Sequence, residues 1–148
     1  MTSTAQVALR VIGPPFAGVV QQTGVSPESA ALLEIFSDGS VYAYSGKVEY
    51  GQGIRNSFTR MIASALEVDV ADVHVILADT ARVPYDRGTT GSASTRTVGV
   101  QLIRAANAAK IELAGRSGSD VSRLDSDVVE IEISGDEPSA EEFNRLAP

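Results

Sequence analysis

The chain contains no cysteine and a single histidine, His74. Without thiols it forms no disulfide and ligates no iron–sulfur cluster, so any electron-transfer cluster must sit on a partner. One histidine excludes a metal centre built on several imidazoles. His74 falls in the short apolar run Val73–Leu77, where a satisfied core imidazole is expected rather than a ligand. Positive charge is also scarce. Twelve Lys and Arg face 19 Asp and Glu, giving a formal charge of −7 and a pI near 4.6, which argues against a nucleic-acid partner. No apolar run reaches membrane-spanning length, and Met1–Gln6 lacks the basic start and apolar core of a signal peptide. A soluble cytoplasmic protein with no membrane partner is the expectation.

What is present suits one α/β domain over residues 1–148: a mixed sheet carrying two long helices. At 148 residues and 43% hydrophobic content, the chain is long enough to bury a real core. Residues 1–28 read as an irregular leader with one short strand, Val7–Ile12, an edge or leading strand stopped by Gly13-Pro14-Pro15. Ser29–Phe36 is too apolar for a solvated edge and reads as a central strand. Ser37-Asp38-Gly39-Ser40 supplies a hairpin turn into a second strand, Val41–Tyr50, interrupted at Gly46. Apolar residues recur at helical spacing over Gln52–Glu67 and again over Thr95–Leu113. Between these helices Val73–Leu77 reads as a buried strand and Asp79–Gly91 as irregular. Residues 116–127 form a polar connector, Val128–Ile133 alternates as a strand, and a Ser139–Glu142 capping box opens a last short helix, Ala140–Leu146.

Two glycine-containing stretches organise the chain, Gly46–Gly53 and Arg82–Thr95. Each ends where a helix begins, so each offers bare peptide N–H groups at a helix N-terminus, the outline of an anion site. Gln52 lies between Gly51 and Gly53, and its amide can both donate to and accept from a nitrogen heterocycle. Against this stands an ordinary Gln that follows a glycine turn. Gly91, Ser92, Ala93, Ser94 and Thr95 are small enough for an anion to reach the backbone. Plain helix capping accounts for Ser92 or Ser94 singly, but not for the preceding Gly88-Thr89-Thr90-Gly91. The carboxylates Glu49, Asp79 and Asp86 read more simply as turn-fixing groups than as an acid–base pair. Tyr85 either stacks on a ring or anchors its loop.

These stretches, with Asp38-Gly39-Ser40-Val41 before them and Asp79-Thr80 between them, follow a recurring order. Asp-Gly-Ser-Val is followed by Gly-x-Val-Glu-x-Gly-Gln-Gly, a helix, Asp-Thr, Val-Pro-Tyr-Asp-x-Gly-Thr-x-Gly-Ser, Ser-Thr and a second helix. The order resembles part of the large subunit of the molybdenum hydroxylases, the family of xanthine dehydrogenase, aldehyde oxidase and aerobic carbon monoxide dehydrogenase. It spans the middle half of the chain and, more weakly, extends almost to the C-terminus.

The resemblance implies a role in holding a molybdenum–molybdopterin cofactor, the cytosine dinucleotide form being one candidate, shared with a further domain or chain. The implied contacts are Gly51, Gln52, Gly53, Gly91, Ser92, Ala93, Ser94 and Thr95. None of these is implied to be catalytic or a metal ligand. Many relatives carry Arg where this chain has Ala93, which removes a charge-assisted bond to phosphate; Arg96 and Arg87 are the nearby substitutes. The implied activity is hydroxylation of an aldehyde, an N-heterocycle or carbon monoxide with oxygen from water. Its electrons leave toward iron–sulfur and flavin partners. The family's general-base Glu lies in a Gly-Val-Gly-Glu-type motif that this sequence does not contain, so the chain is expected to be inactive alone. The rival class is a non-enzymatic interaction module that reuses the fold.

Overall fold

The computed structural model describes residues 4–13, 30–84, 86, 88–116, 128–134 and 139–146. Its five strands are β1 (Val7–Gly13), β2 (Ala30–Phe36), β3 (Val41–Ser45), β4 (Val73–Leu77) and β5 (Val129–Glu132). They form one mixed sheet in the order β4-β3-β2-β1-β5. The inner pairs β1–β2 and β2–β3 are antiparallel, and the outer pairs β3–β4 and β1–β5 are parallel. The expected central strand is therefore the middle one. The β2–β3 hairpin closes on Asp38, whose Oδ1 accepts from Ser40 N at 2.9 Å and Ser40 Oγ at 2.6 Å, with Gly39 in the left-handed region at φ 88°.

Side-chain alternation divides the sheet into two faces. Leu9, Val11, Leu33, Ile35, Val41, Ala43, Val73 and Val75 form the core face, together with Phe58, Ile62, Leu102 and the buried alanines of the helices. The long helices are α1 (Ile54–Leu66) and α2 (Val100–Arg116). Ala105, Ala106 and Ala109 are fully buried, so α2 packs closely through small side chains. The other face carries a row of paired residues, Arg10, Glu34, Tyr42 and His74, across β1 to β4. Arg10 Nε and Tyr44 Oη both donate to Glu34, at 2.7 and 2.6 Å, which satisfies a carboxylate only 8% exposed.

Several expectations are corrected. His74 is not a core imidazole: β4 is an edge strand, its Val73 and Val75 point inward, and the exposed His74 stacks on Tyr42 with centroids 4.8 Å apart. The same alternation of Val73-His74-Val75 in the sequence signals a half-buried strand. β1 leads the chain but is no edge, because β5 pairs outside it. β3 stops at Ser45, at the expected break, and does not resume before Tyr50, because the chain leaves the sheet at Gly46 to pack against Pro84 and Asp86. The second long helix begins not as an α-helix at Thr95 but as a π-helical turn over Thr95–Gly99.

That wider turn packs against α1. A Cβ on Gly99 would lie 2.7 Å from Met61 Cε and 3.5 Å from Phe58 Cε1. The last helix, α3 (Ala140–Leu146), forms as expected, but only half of its capping box is made. Ser139 Oγ accepts from Glu142 N at 3.1 Å, whereas the Glu142 carboxylate pairs with Arg104 of α2 and docks α3 there. The leader beyond Gly13, most of the polar connector, Tyr85 and Arg87 lie outside the described residues. Among the described residues no helix is long and apolar enough to cross a membrane.

Candidate functional site

The first glycine turn is built around Glu49. Its carboxylate accepts from the backbone N–H groups of Gly51 and Gly53 at 3.0 Å each and of Arg55 at 3.1 Å. These N–H groups, led by that of Arg55, hold the Glu49 carboxyl below the usual carboxylate range. The start of α1 thus already has an anion, the protein's own. Here the structure revises the reading of this turn as a bare cradle: the peptide groups exist as expected, but Glu49 occupies them. Gly51 and Gly53 adopt φ of 110° and 81°, values that a side chain would strain.

Gln52 projects from this turn with half its amide committed. Its Oε1 accepts from Tyr50 N and its Nε2 donates to Val48 O, both at 2.8 Å. One N–H and one carbonyl lone pair are left by those bonds. Such a fixed, half-used amide can recognise a neutral heteroatom pair.

The second loop lies directly beside the first turn. Val48 N donates to Thr89 Oγ1 at 2.8 Å, and Lys47 Nζ reaches Asp86 Oδ1 at 2.9 Å. Gly91 and Ser92 follow each other in the left-handed region, at φ 65° and 50°. For Ser92 that conformation costs about 1–2 kcal/mol. Ser94 is 8% exposed and makes no side-chain capping bond, so its hydroxyl is left to the space in front of the loop.

Between the two turns lies an open cavity of ≈ 250 Å³. The first turn and α1 contribute Tyr50, Gln52, Ile54 and Ser57; the second loop contributes Thr89, Thr90, Ser92, Ser94 and Thr95. Of the sequence-derived site residues, Gln52, Ser92, Ser94 and Thr95 are therefore brought together. Gly51, Gly53, Gly91 and Ala93 shape the backbone without lining the cavity, and Ala93 O accepts from both Thr97 N and Thr97 Oγ1. Arg96 is exposed on the π turn and is not part of the cavity lining.

Sequence reasoning missed Tyr50, Ser57, Thr89 and Thr90. Ser57 was findable, since it lies four residues beyond Gly53, one helical turn along the same face, and donates back to Gly53 O at 3.1 Å. Thr89 and Thr90 sit inside the glycine frame that drew attention to their neighbours. The three carboxylates hold turns: beside Glu49, Asp79 Oδ1 accepts from Ala81 N at 3.1 Å and Asp86 Oδ1 from Gly88 N at 2.7 Å.

The donor set suits part of a phosphorylated pterin cofactor. Hydroxyls surround a loop of small residues at a helix start, as a phosphate requires, and a half-used amide faces it, as a heterocycle edge requires. The fit is to one portion of such a molecule, for the cavity is open on one side.

Comparison with known proteins identifies the family. A family model described as "Molybdopterin cofactor-binding domain" matches residues 3–147. A nicotinate dehydrogenase subunit of Pseudomonas putida is 36% identical over 104 residues, covering 67% of this chain and 9% of that protein. The carbon monoxide dehydrogenase large chain of Afipia carboxidovorans is 36% identical over 87 residues, 59% of this chain and 11% of that protein. Xanthine dehydrogenase 1 of Arabidopsis thaliana is 31% identical over 88 residues, 60% of this chain and 6% of that protein. No solved structure matches the chain significantly. The chain thus spans about a tenth or less of the length of these relatives. Because that family model covers nearly the whole sequence, the chain belongs to the molybdopterin cofactor-binding domain family of the molybdenum hydroxylases.

Proposed function

We propose that this chain supplies one wall of the cofactor site of a molybdenum hydroxylase and holds the cofactor without performing the proton chemistry. The observation that carries this reading is the convergence of Gln52 and the Ser92–Thr95 loop, some forty residues apart, on one hydroxyl-lined cavity. When bound, the molybdenum cofactor would supply the redox chemistry of hydroxylation with oxygen from water. The chain's own residues bind and orient it.

The electrostatics give the bound molecule a direction. Glu49 fills the start of α1 and repels a second anion there, so the anionic part belongs at the Gly91–Thr95 loop. Gln52 then faces a neutral ring. The loop offers room and hydroxyls for a phosphate, consistent with a dinucleotide form of the cofactor such as the cytosine one. The substrate reading remains the family set of aldehyde, N-heterocycle or carbon monoxide; the names of the relatives include nicotinate, carbon monoxide and xanthine.

The partners of this reading are the domains or chains that bear the catalytic Glu, the iron–sulfur clusters and the flavin. Neutral hydroxyls and one helix start give weak binding to a free phosphate, on the order of millimolar. A titration of the ¹⁵N-labelled chain with sodium pyrophosphate tests this. Shifts centred on the amides of Ser92, Ser94 and Thr95 are expected, with smaller ones at Gly51 and Gly53. Shifts centred on Gly51 and Gly53 instead would overturn the assignment of the anionic end.

A further inference from the structure

The cavity's two walls are tied together by a charged pair that touches neither the cavity nor any implied ligand. Lys47 lies just beyond β3, its side chain only 11% exposed, and Asp86 opposite is 10% exposed. The Lys47 ammonium donates to Asp86 Oδ1 at 2.9 Å and to Gly88 O at 2.6 Å. Asp86 Oδ1 also accepts from Gly88 N at 2.7 Å, so both peptide groups of Gly88 are pinned by one ion pair. The next residue along each strand of this contact completes it: Val48 N donates to Thr89 Oγ1 at 2.8 Å. Gly46 is pressed against the same loop, with no space for a Cβ, which would lie 2.4 Å from Asp86 Cβ and 2.8 Å from Pro84 O.

We infer that Lys47 is a positioning residue of the site: through Asp86 and Gly88 it sets the distance between the Gln52 turn and the Thr89–Thr95 loop. The inference rests on the cofactor-site reading for its purpose, but its geometry stands without a ligand. Asp86 alone would fix only its own turn. A buried ammonium is needed to bind that turn to the end of β3, because a carboxylate and a peptide carbonyl both face the gap and both need a donor. Lys suits the position by offering three donors on a flexible stem, of which these bonds use two.

The absence of cysteine makes a clean test possible, since a thiol introduced at this position would be unique. The full chain is compared as wild type, Lys47→Met, and Lys47→Cys alkylated under denaturing conditions with bromoethylamine and refolded, which rebuilds an ammonium of nearly the same length. The first readout is ligand-free: the nuclear Overhauser contact between the Val48 amide proton and the Thr89 side chain. The second is pyrophosphate affinity from amide shifts of Ser94 and Thr95. Lys47→Met is expected to lose the contact and to weaken pyrophosphate by roughly tenfold, the scale of one lost charge-assisted hydrogen bond. Aminoethylation is expected to restore both. If Lys47→Met does not fold, Asp86→Asn, which keeps the shape of the turn, supplies the same comparison. Retention of the Val48–Thr89 contact without the ammonium, or a loss that aminoethylation does not reverse, would overturn the inference. Wild-type protein that shows the contact but no pyrophosphate shifts would instead strike the cofactor-site reading and leave the clamp standing.

Discussion

Glu49 and Tyr44 show how single side chains set the chemistry around them, and both make pH-dependent predictions. Glu49 ionises below its ordinary value because three peptide N–H groups favour the charged form. Its contribution to the turn is therefore complete above the ordinary carboxylate pKa and is lost as pH falls through the lowered folded value. The amide shifts of Gly51, Gly53 and Arg55 should titrate together, below pH 4.5, the ordinary value for Glu. Titration above that value would show that the carboxylate does not hold the turn. Tyr44 is pushed up to about 12, first by burial and then by its bond to Glu34. A raised folded pKa means the unfolded chain loses the proton first, so this contribution is present below pH 10 and is lost between 10 and about 12. Tyr44→Phe should flatten that part of the stability profile, measured by denaturant unfolding at each pH. At this scale the sequence was partly legible. The residue types and their order pointed to the right turns, and the backbone-bonding role of the carboxylates was the simpler reading. Hidden was which N–H groups each carboxylate takes, since a Glu before Gly-Gln-Gly has the same letters whether it faces solvent or folds back.

At the level of elements, the sequence pattern located the five strands and three α-helices of the described residues within a few positions, because burial against one core imposes it. The departures have tertiary causes. β3 ends early where Gly46 meets the 84–88 loop, and the π turn lies where Gly99 meets Met61. No local pattern encodes either contact. The two glycines should respond differently to an added methyl group. At Gly46 the obstacle includes the carbonyl of Pro84, so Gly46→Ala must displace the loop. A cost of about 1–3 kcal/mol or more and loss of the Val48–Thr89 contact are expected. At Gly99 the nearest atoms are the flexible tip of Met61, and Ala is the better helix former by about 1 kcal/mol. Gly99→Ala should therefore fall within about 1 kcal/mol of wild type in chemical denaturation. Equal losses at the two sites would mean that the loop is softer, or the helix contact harder, than the packing indicates.

At the scale of the whole molecule the cavity offers hydroxyls, one amide and one phenol, and it opens beside exposed apolar side chains. Among its lining residues Tyr50 is the sole titratable group, and the Glu49 carboxylate of the adjoining turn is held ionised by its own peptide N–H groups. A purified chain loaded with the cofactor is accordingly expected to turn over neither aldehyde nor purine; measurable turnover would refute the holding role. Tyr50, which lines the open cavity, is 70% exposed, and Val48, two residues before it, is 43% exposed. If another domain or chain of the hydroxylase closes that opening, the two apolar surfaces are what it would bury. Tyr50→Ser is then expected to leave the chain's own unfolding midpoint nearly unchanged, since exposed positions contribute within about 0.5 kcal/mol. The same substitution should weaken assembly with the remaining chains by about tenfold, if the aromatic acts as a central anchor worth more than about 1 kcal/mol. Co-expression and copurification with those chains, read alongside unfolding of the isolated variant, separates the two effects. Undiminished assembly of Tyr50→Ser would place the covering surface elsewhere on the molecule.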